Sequence, residues 1–204
     1  MKVTAIAEEY SPDLLPTLHL PRAKIRSCLS RLIAEVFERS EDDSKAGVML
    51  TSPVREAGVS FICSSMAAEL ALQGLKVLLV DARALLSVRF ISVERVAGLC
   101  RRMGSSQLWV LGAGETSKAN RAFKDEIPGS IETLLRGLER EFPYLLVDAP
   151  ALSVGNDANL LATQVYGTLL VVRNGQTSKV DLQKAQSTLT SFGGRVIGSV
   201  FNAH

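Results

Sequence analysis

Five short, uninterrupted apolar runs constrain this chain more than any other feature. They occupy residues 48–51, 76–81, 144–148, 167–172 and 195–201, with a weaker sixth at 108–111. Each is rich in Val, Ile or Leu and is bounded by turn-forming residues. Hydrophobicity that is continuous rather than alternating marks strands buried on both faces, which is the situation of a parallel sheet covered by helices.

The segments between the runs carry helical spacing. In residues 60–73, Phe61, Met66, Ala68, Leu70 and Leu72 lie among small residues, and Gly74 is placed to end the helix. In residues 130–141, Ser130 is a cap, Ile131, Leu134, Leu135 and Leu138 form an apolar stripe, and Glu132 stands in the first turn. A third helix is predicted over 177–192, closed by Gly193 and Gly194. Strand and helix alternate, so the expected fold is α/β: a doubly wound, mainly parallel sheet with helices on both faces. Residues 1–45 read as a lead-in, irregular around Pro12, Pro16 and Pro21 and then an amphipathic helix over 22–39. Ile25, Leu29, Leu32, Ile33, Val36 and Phe37 form its apolar side, and Glu41, Asp42, Asp43 and Ser44 a solvated linker. Residues 46–204 are then the α/β domain.

Composition excludes several classes of function. With 23 basic and 21 acidic residues the net charge is +2, and aromatics are 5%, so neither charge nor stacking material points to nucleic acid. Cys28, Cys63 and Cys100 are far apart, and the histidines are His19 and His204. That pattern suits buried reduced thiols, not a zinc site or a disulfide framework. No apolar run approaches the roughly 18 residues of a membrane span, and Glu8 and Glu9 interrupt the N-terminal apolar patch before a signal-peptide core can form. The expectation is a soluble protein of a reducing compartment.

In α/β sheets, ligands sit at the carboxyl ends of strands. The first run leads through residues 51–60 into a helix, the place and length of a phosphate-binding loop of pattern G-x-x-x-x-G-K-[ST]. Such a loop surrounds phosphate with backbone N–H groups at a helix N-terminus, while Lys reaches the outer oxygens and Ser or Thr holds magnesium. Gly58 and Ser60 fit; the lysine position is Val59 and the first glycine position is Pro53. Two further runs end in Asp81 and Asp148, where a nucleotide enzyme positions magnesium. A lone aspartate there would more simply cap the next turn, but two aspartates beside such a loop favour a nucleotide-site origin.

Thr51 to Ser60, then Gly74-Leu75-Lys76-Val77-Leu78-Leu79-Val80-Asp81-Ala82 and Tyr144-Leu145-Leu146-Val147-Asp148-Ala149-Pro150, resemble the bacterial tyrosine kinases and related ATPases of capsule and exopolysaccharide export. These belong to the P-loop branch that also holds the MinD and ParA proteins. Trp109 to Gly114, Asp157-Ala158, Leu169 to Arg173, Thr177 and Gly198 to Asn202 extend the resemblance over about residues 20–204. It implies a P-loop fold with a vestigial nucleotide site at Arg55, Gly58, Ser60, Asp81 and Asp148.

The departures from the family pattern are specific. Its loop reads proline, glycine, glutamate, glycine, lysine, serine or threonine, which falls here on Arg55, Glu56, Ala57, Gly58, Val59 and Ser60. Lysine has become valine, and a glycine has become glutamate. The family's second acidic motif has two aspartates flanking one residue; here they are Asp81 and Arg83. The tyrosine cluster has no counterpart, the tyrosines being Tyr10, Tyr144 and Tyr166. In the helix over 22–39, the family's Glu-x-x-Arg-x-x-Arg assembly motif falls on Ala23, Arg26 and Leu29. An ordinary amphipathic helix covering the sheet is the simpler reading there. Losing the lysine removes a charge-assisted contact of roughly 1.5–3 kcal/mol, and Glu56 repels polyphosphate. Together these cost about 3–6 kcal/mol, or roughly two to four decades of affinity.

The resemblance therefore implies a pseudokinase. Such a chain would work by binding an inner-membrane polysaccharide copolymerase, or an active kinase or ATPase paralogue, with a homo-oligomer also open. It would be cytoplasmic and peripheral to the membrane through that partner, with no catalytic residue and no cofactor. The alternative is an ATP-dependent tyrosine autokinase or ATPase, with Arg55 in place of the lysine and Ser60, Asp81 and Asp148 acting through magnesium. A MinD-like surface ATPase is disfavoured, because no membrane-targeting helix follows the last strand.

Overall fold

The computed structural model describes residues 3–6, 23–37, 47–88, 92–114, 116 and 130–203. The proposed linker at 41–44 and the prolines of the lead-in lie outside these residues. Within them the strands are β1 (Val3–Ile6), β2 (Val48–Thr51), β3 (Val77–Asp81), β4 (Arg101–Arg102), β5 (Leu108–Leu111), β6 (Tyr144–Asp148), β7 (Gly167–Arg173) and β8 (Val196–Asn202). They form one eight-stranded sheet in the order β1-β8-β7-β2-β6-β3-β5-β4. Every pairing is parallel except β4 with β5. The six apolar runs are all strands, and the doubly wound parallel architecture is present.

The helices are α1 (Ala23–Phe37), α2 (Val59–Leu72), α3 (Ala82–Ser87), α4 (Val93–Leu99), α5 (Ile131–Glu141), α6 (Asp157–Ala162) and α7 (Lys179–Ser191). One face of the sheet is covered by α1 and α2. Leu29, Leu32, Ile33 and Val36 of α1 and Ile62, Met66 and Leu70 of α2 pack there with Leu50, Leu146, Leu169 and Val200. The other face carries α3 to α7, with Leu85, Leu135, Leu138, Leu161 and Leu189 packed among Leu78, Val80 and Val147.

Local chemistry explains the helix boundaries. Ser130 Oγ accepts the Thr133 N–H at 3.0 Å to start α5. Ser178 and Asp181 form a reciprocal capping box at the start of α7. Gly74 follows α2 at φ 81°, a left-handed turn that glycine adopts without strain. The helix α2 carries apolar or small residues around most of its circumference because it is buried between the sheet and α1.

Two strands escape the sequence reading. Val3–Ile6 lies in the expected irregular lead-in, yet β1 pairs with β8 from Val3 against Ser199 to Ile6 against Asn202. Arg101–Arg102 has no apolar signal; β4 exists only because it can pair along the outer edge of β5.

The amphipathic helix over 22–39 is present as α1, and a buried carboxylate fixes it. Glu69 on α2 accepts from Arg26 Nε at 2.9 Å and from Ser30 Oγ at 3.2 Å. Arg26, the one residue that matches the family's assembly motif, is thus spent on a contact within its own chain. The register that matters for the site is between β3 and β6, where Asp81 stands directly opposite Asp148.

Candidate functional site

The carboxyl ends of β2, β3 and β6 surround the loop that joins β2 to α2. Its base is rigid. Thr51 Oγ1 donates to the Pro150 carbonyl at 2.6 Å, Ser52 Oγ donates to the Val54 carbonyl at 2.7 Å, and Leu152 N donates to Ser52 O at 2.9 Å. The loop then passes through two left-handed residues, Glu56 at φ 60° and Gly58 at φ 86°. The second is what glycine is for. The first is a strained place for a side chain and coincides with the position where the family has glycine, so the backbone path outlasts the residue that suited it. Arg173 Nη1 donates to the Glu56 carbonyl at 2.5 Å and holds that turn from the end of β7.

A cleft of about 450 Å³ opens over this loop, lined among others by Arg55, Glu56, Gly58, Ser60, Ala149 and Val154. Arg55 is exposed on its rim and makes no ion pair among the described residues. Val59 begins α2, whose N-terminus has no side-chain cap. Its first N–H groups are therefore available to an anion as in any such loop. The structure thus brings Arg55, Gly58 and Ser60 together at one cleft.

Asp148 stands beside the cleft near Ser60, and Asp81 stands opposite it on the neighbouring strand. The Ser60 hydroxyl lies close enough to the Asp148 carboxylate to favour its charged form. Burial, and then the negative charge of Asp81, push the Asp148 carboxyl up to about 6, against the lowering effects of Ser60 and Arg83. Asp81 caps α3 through the Arg83 N–H at 2.8 Å. It also receives Arg83 Nε at 3.3 Å on Oδ1 and Arg83 Nη2 at 3.0 Å on Oδ2. Both oxygens of Asp81 are therefore engaged by Arg83, the residue at the family's second acidic position.

Sequence reasoning missed two contacts. Asn202, at the end of β8, donates through Nδ2 to the Ala57 carbonyl at 3.0 Å and lies against Gly58. Arg173 reaches the loop from β7. Cys63, wholly buried one turn into α2, has its thiol pushed well up by burial and then by the charge of Asp148, which makes it inert. Strand-end polar residues were the available signal for both contacts, and the buried reduced Cys63 is what the cysteine pattern predicts. No group of His, Cys, Asp and Glu among the described residues is arranged to hold a metal ion, and no described helix is long and apolar enough to cross a membrane.

No family model matches the sequence. Curated relatives do. The chain is 24% identical over 184 residues to the "Putative tyrosine-protein kinase CapB" of Staphylococcus aureus, covering 82% of this chain and 78% of that one. It is 25% identical over 209 residues to the "Tyrosine-protein kinase CpsD" of Streptococcus pneumoniae, covering 92% and 91%. Among solved structures, the kinase domain of the Escherichia coli tyrosine kinase ETK superposes with a TM-score of 0.67 at 19% identity, over 88% of this chain and 74% of that one. The MinD cell division protein of Aquifex aeolicus gives 0.54 at 19%, over 77% and 68%. The relatives are thus bacterial tyrosine kinases, and the fold is the one shared by their kinase domains and MinD.

Proposed function

We propose that this chain, a relative of the bacterial tyrosine kinases, is a non-catalytic component of exopolysaccharide or capsule synthesis and export. It acts by binding a protein: the cytoplasmic part of a membrane polysaccharide copolymerase, or an active kinase or ATPase paralogue. It is peripheral to the membrane through that partner and needs no cofactor. The observation that carries this reading is the state of the loop. Its backbone keeps the left-handed turns at Glu56 and Gly58, while the side chains that would grip polyphosphate are Val59 and Glu56. A fold preserved without its phosphate chemistry is one whose surface does the work.

The test is direct. Purified protein is expected to show neither tyrosine autophosphorylation nor ATP hydrolysis above a blank. Pull-down from the native host is expected to recover an envelope polysaccharide component. Turnover that vanishes in Asp148→Asn would overturn the reading, and recovery of soluble metabolic enzymes alone would count against the partner.

The second reading is an ATP-dependent tyrosine autokinase. It is favoured by the names of the relatives and by the position of Arg55 on the cleft rim. Loss of nucleotide binding in Arg55→Ala, from a measurable wild-type value, would select it.

A further inference from the structure

We infer that Arg83 is a built-in cation: its guanidinium serves the carboxylates at the ends of β3 and β6 in place of a divalent metal ion, and closes that position to magnesium. The register of the sheet sets up the need for one. Asp81 and Asp148 are directly paired on adjacent parallel strands, so two carboxylates leave the sheet at the same level and on neighbouring strands. Like charges so placed raise one another's proton affinity unless a positive charge stands by. In the family pattern, where an acid occupies the Arg83 position, a third negative charge would make an external cation obligatory.

Here the cation comes from the chain. Three N–H groups of one residue, the backbone amide, Nε and Nη2, reach both oxygens of Asp81 at 2.8 to 3.3 Å. The Arg83 side chain is 72% exposed, so packing does not dictate where the guanidinium lies; Asp81 does. Asp148 also lies close enough for its charge to act on Arg83. The other groups facing this pair are the Ser60 hydroxyl and the inert Cys63 thiol.

Magnesium does not fit beside this arrangement. It demands oxygen ligands in near-octahedral geometry and gives up its waters reluctantly. Both oxygens of Asp81 are already hydrogen-bonded to a cation. A unit positive charge a few ångströms away would weaken a divalent ion on the order of a hundredfold. This inference deepens the non-catalytic reading and rests on it only in taking the site not to be cycled by magnesium nucleotide.

The experiment uses manganese alone, titrated into the full chain while free Mn²⁺ is followed by its paramagnetic signal. Melting temperatures with and without magnesium, at matched ionic strength, are the second readout. The wild-type chain is expected to take up no Mn²⁺ at millimolar concentrations and to melt unchanged. Arg83→Ala, an exposed substitution whose folding circular dichroism verifies, is expected to bind Mn²⁺ at least tenfold more tightly and to melt higher with magnesium. Arg83→Lys keeps the charge and is expected to remain closed. Adding Asp81→Asn to Arg83→Ala should abolish the response, which locates it.

Uptake by the wild-type chain as tight as by Arg83→Ala would overturn the inference, and so would a folded Arg83→Ala that takes up none. ATP turnover by the wild-type chain without divalent ions would overturn the non-catalytic reading and leave the role of Arg83 standing. Wild-type Mn²⁺ uptake without turnover would do the reverse.

Discussion

The amide of Asn202 donates to the carbonyl of Ala57 across the space between the last strand and the phosphate-type loop. The same nitrogen occupies the place that a Cβ on Gly58 would need. The last strand, far from the loop in sequence, thus sets the path of its final turn. Gly58 is constrained twice, by this close approach and by φ 86°.

Gly58→Ala should therefore cost about 2 kcal/mol or more, from left-handed strain and the collision together. Asn202→Ala should cost about 1–2 kcal/mol, because it strands the Ala57 carbonyl. The double variant should cost less than the sum, since removing the amide opens room for the new methyl. Urea denaturation of the three variants measures this, and strict additivity would show that the two residues do not share space.

How far this was legible in the sequence depends on where each signal lives. Buried parallel strands are readable because both faces demand apolar residues, and β2, β3, β6, β7 and β8 all appear where the runs lie. The edge strand β4 is written in two arginines and owes its existence to pairing with Trp109 and Val110 of β5. Arg83 was visible as a reversed charge in a family position. Its bidentate grip on Asp81 was not, because that depends on α3 beginning at once after β3 and turning residue 83 back over residue 81. Arg26 was legible only as a remnant of a motif. Its partner Glu69, 43 positions away, becomes a partner through the packing of α1 on α2.

That ion pair yields an asymmetric prediction. The Glu69 side chain is 4% exposed and that of Arg26 46%. Removing the glutamate leaves a guanidinium that returns to water, whereas removing the arginine leaves a buried carboxylate with Ser30 and Gln73 alone. Arg26→Ala should therefore destabilise more than Glu69→Gln, by about 1–2 kcal/mol. Burial raises the Glu69 carboxyl, but the hydrogen bonds from Arg26, Gln73 and Ser30 and the Arg26 charge hold it below the ordinary carboxylate range. A lowered carboxyl pKa stabilises above the unfolded value and is lost as pH falls through the folded one. The penalty of Arg26→Ala should shrink in acid; denaturant midpoints at neutral and acid pH check both statements.

Asp148 should behave in the opposite sense. Its carboxyl is pushed up to about 6, first by burial and then by Asp81. A raised acid favours the folded state below its unfolded pKa, and that advantage is lost as pH rises through the folded value. At pH 8 the ionised carboxylate is thus a burden on the order of 2–3 kcal/mol. Asp148→Asn should stabilise the chain at pH 8 by up to that amount, and by progressively less between pH 6 and pH 4. A gain that does not depend on pH would mean that the carboxylate is better solvated than its burial implies.

The last prediction separates a broken nucleotide site from a fold that never had one. The loop still turns through left-handed residues at 56 and 58, and α2 still begins without a side-chain cap at its N-terminus. If the backbone donors are thereby aimed where a phosphate would lie, the defect is confined to side chains. Glu56→Gly removes the repelling carboxylate and relieves the strain at φ 60°, and on its own should stabilise the fold by about 1 kcal/mol. Val59→Lys restores the missing cation, though alone it would pair with Glu56. Together they should recover most of the roughly 3–6 kcal/mol lost with the family's loop, about two to four decades in affinity for ADP by calorimetry. With Arg83 in place this binding should be indifferent to magnesium, and adding Arg83→Asp should make it magnesium-dependent. A double variant that folds normally and binds no ADP would show that the loop lacks phosphate-binding geometry, and the vestigial-site reading would fall with it.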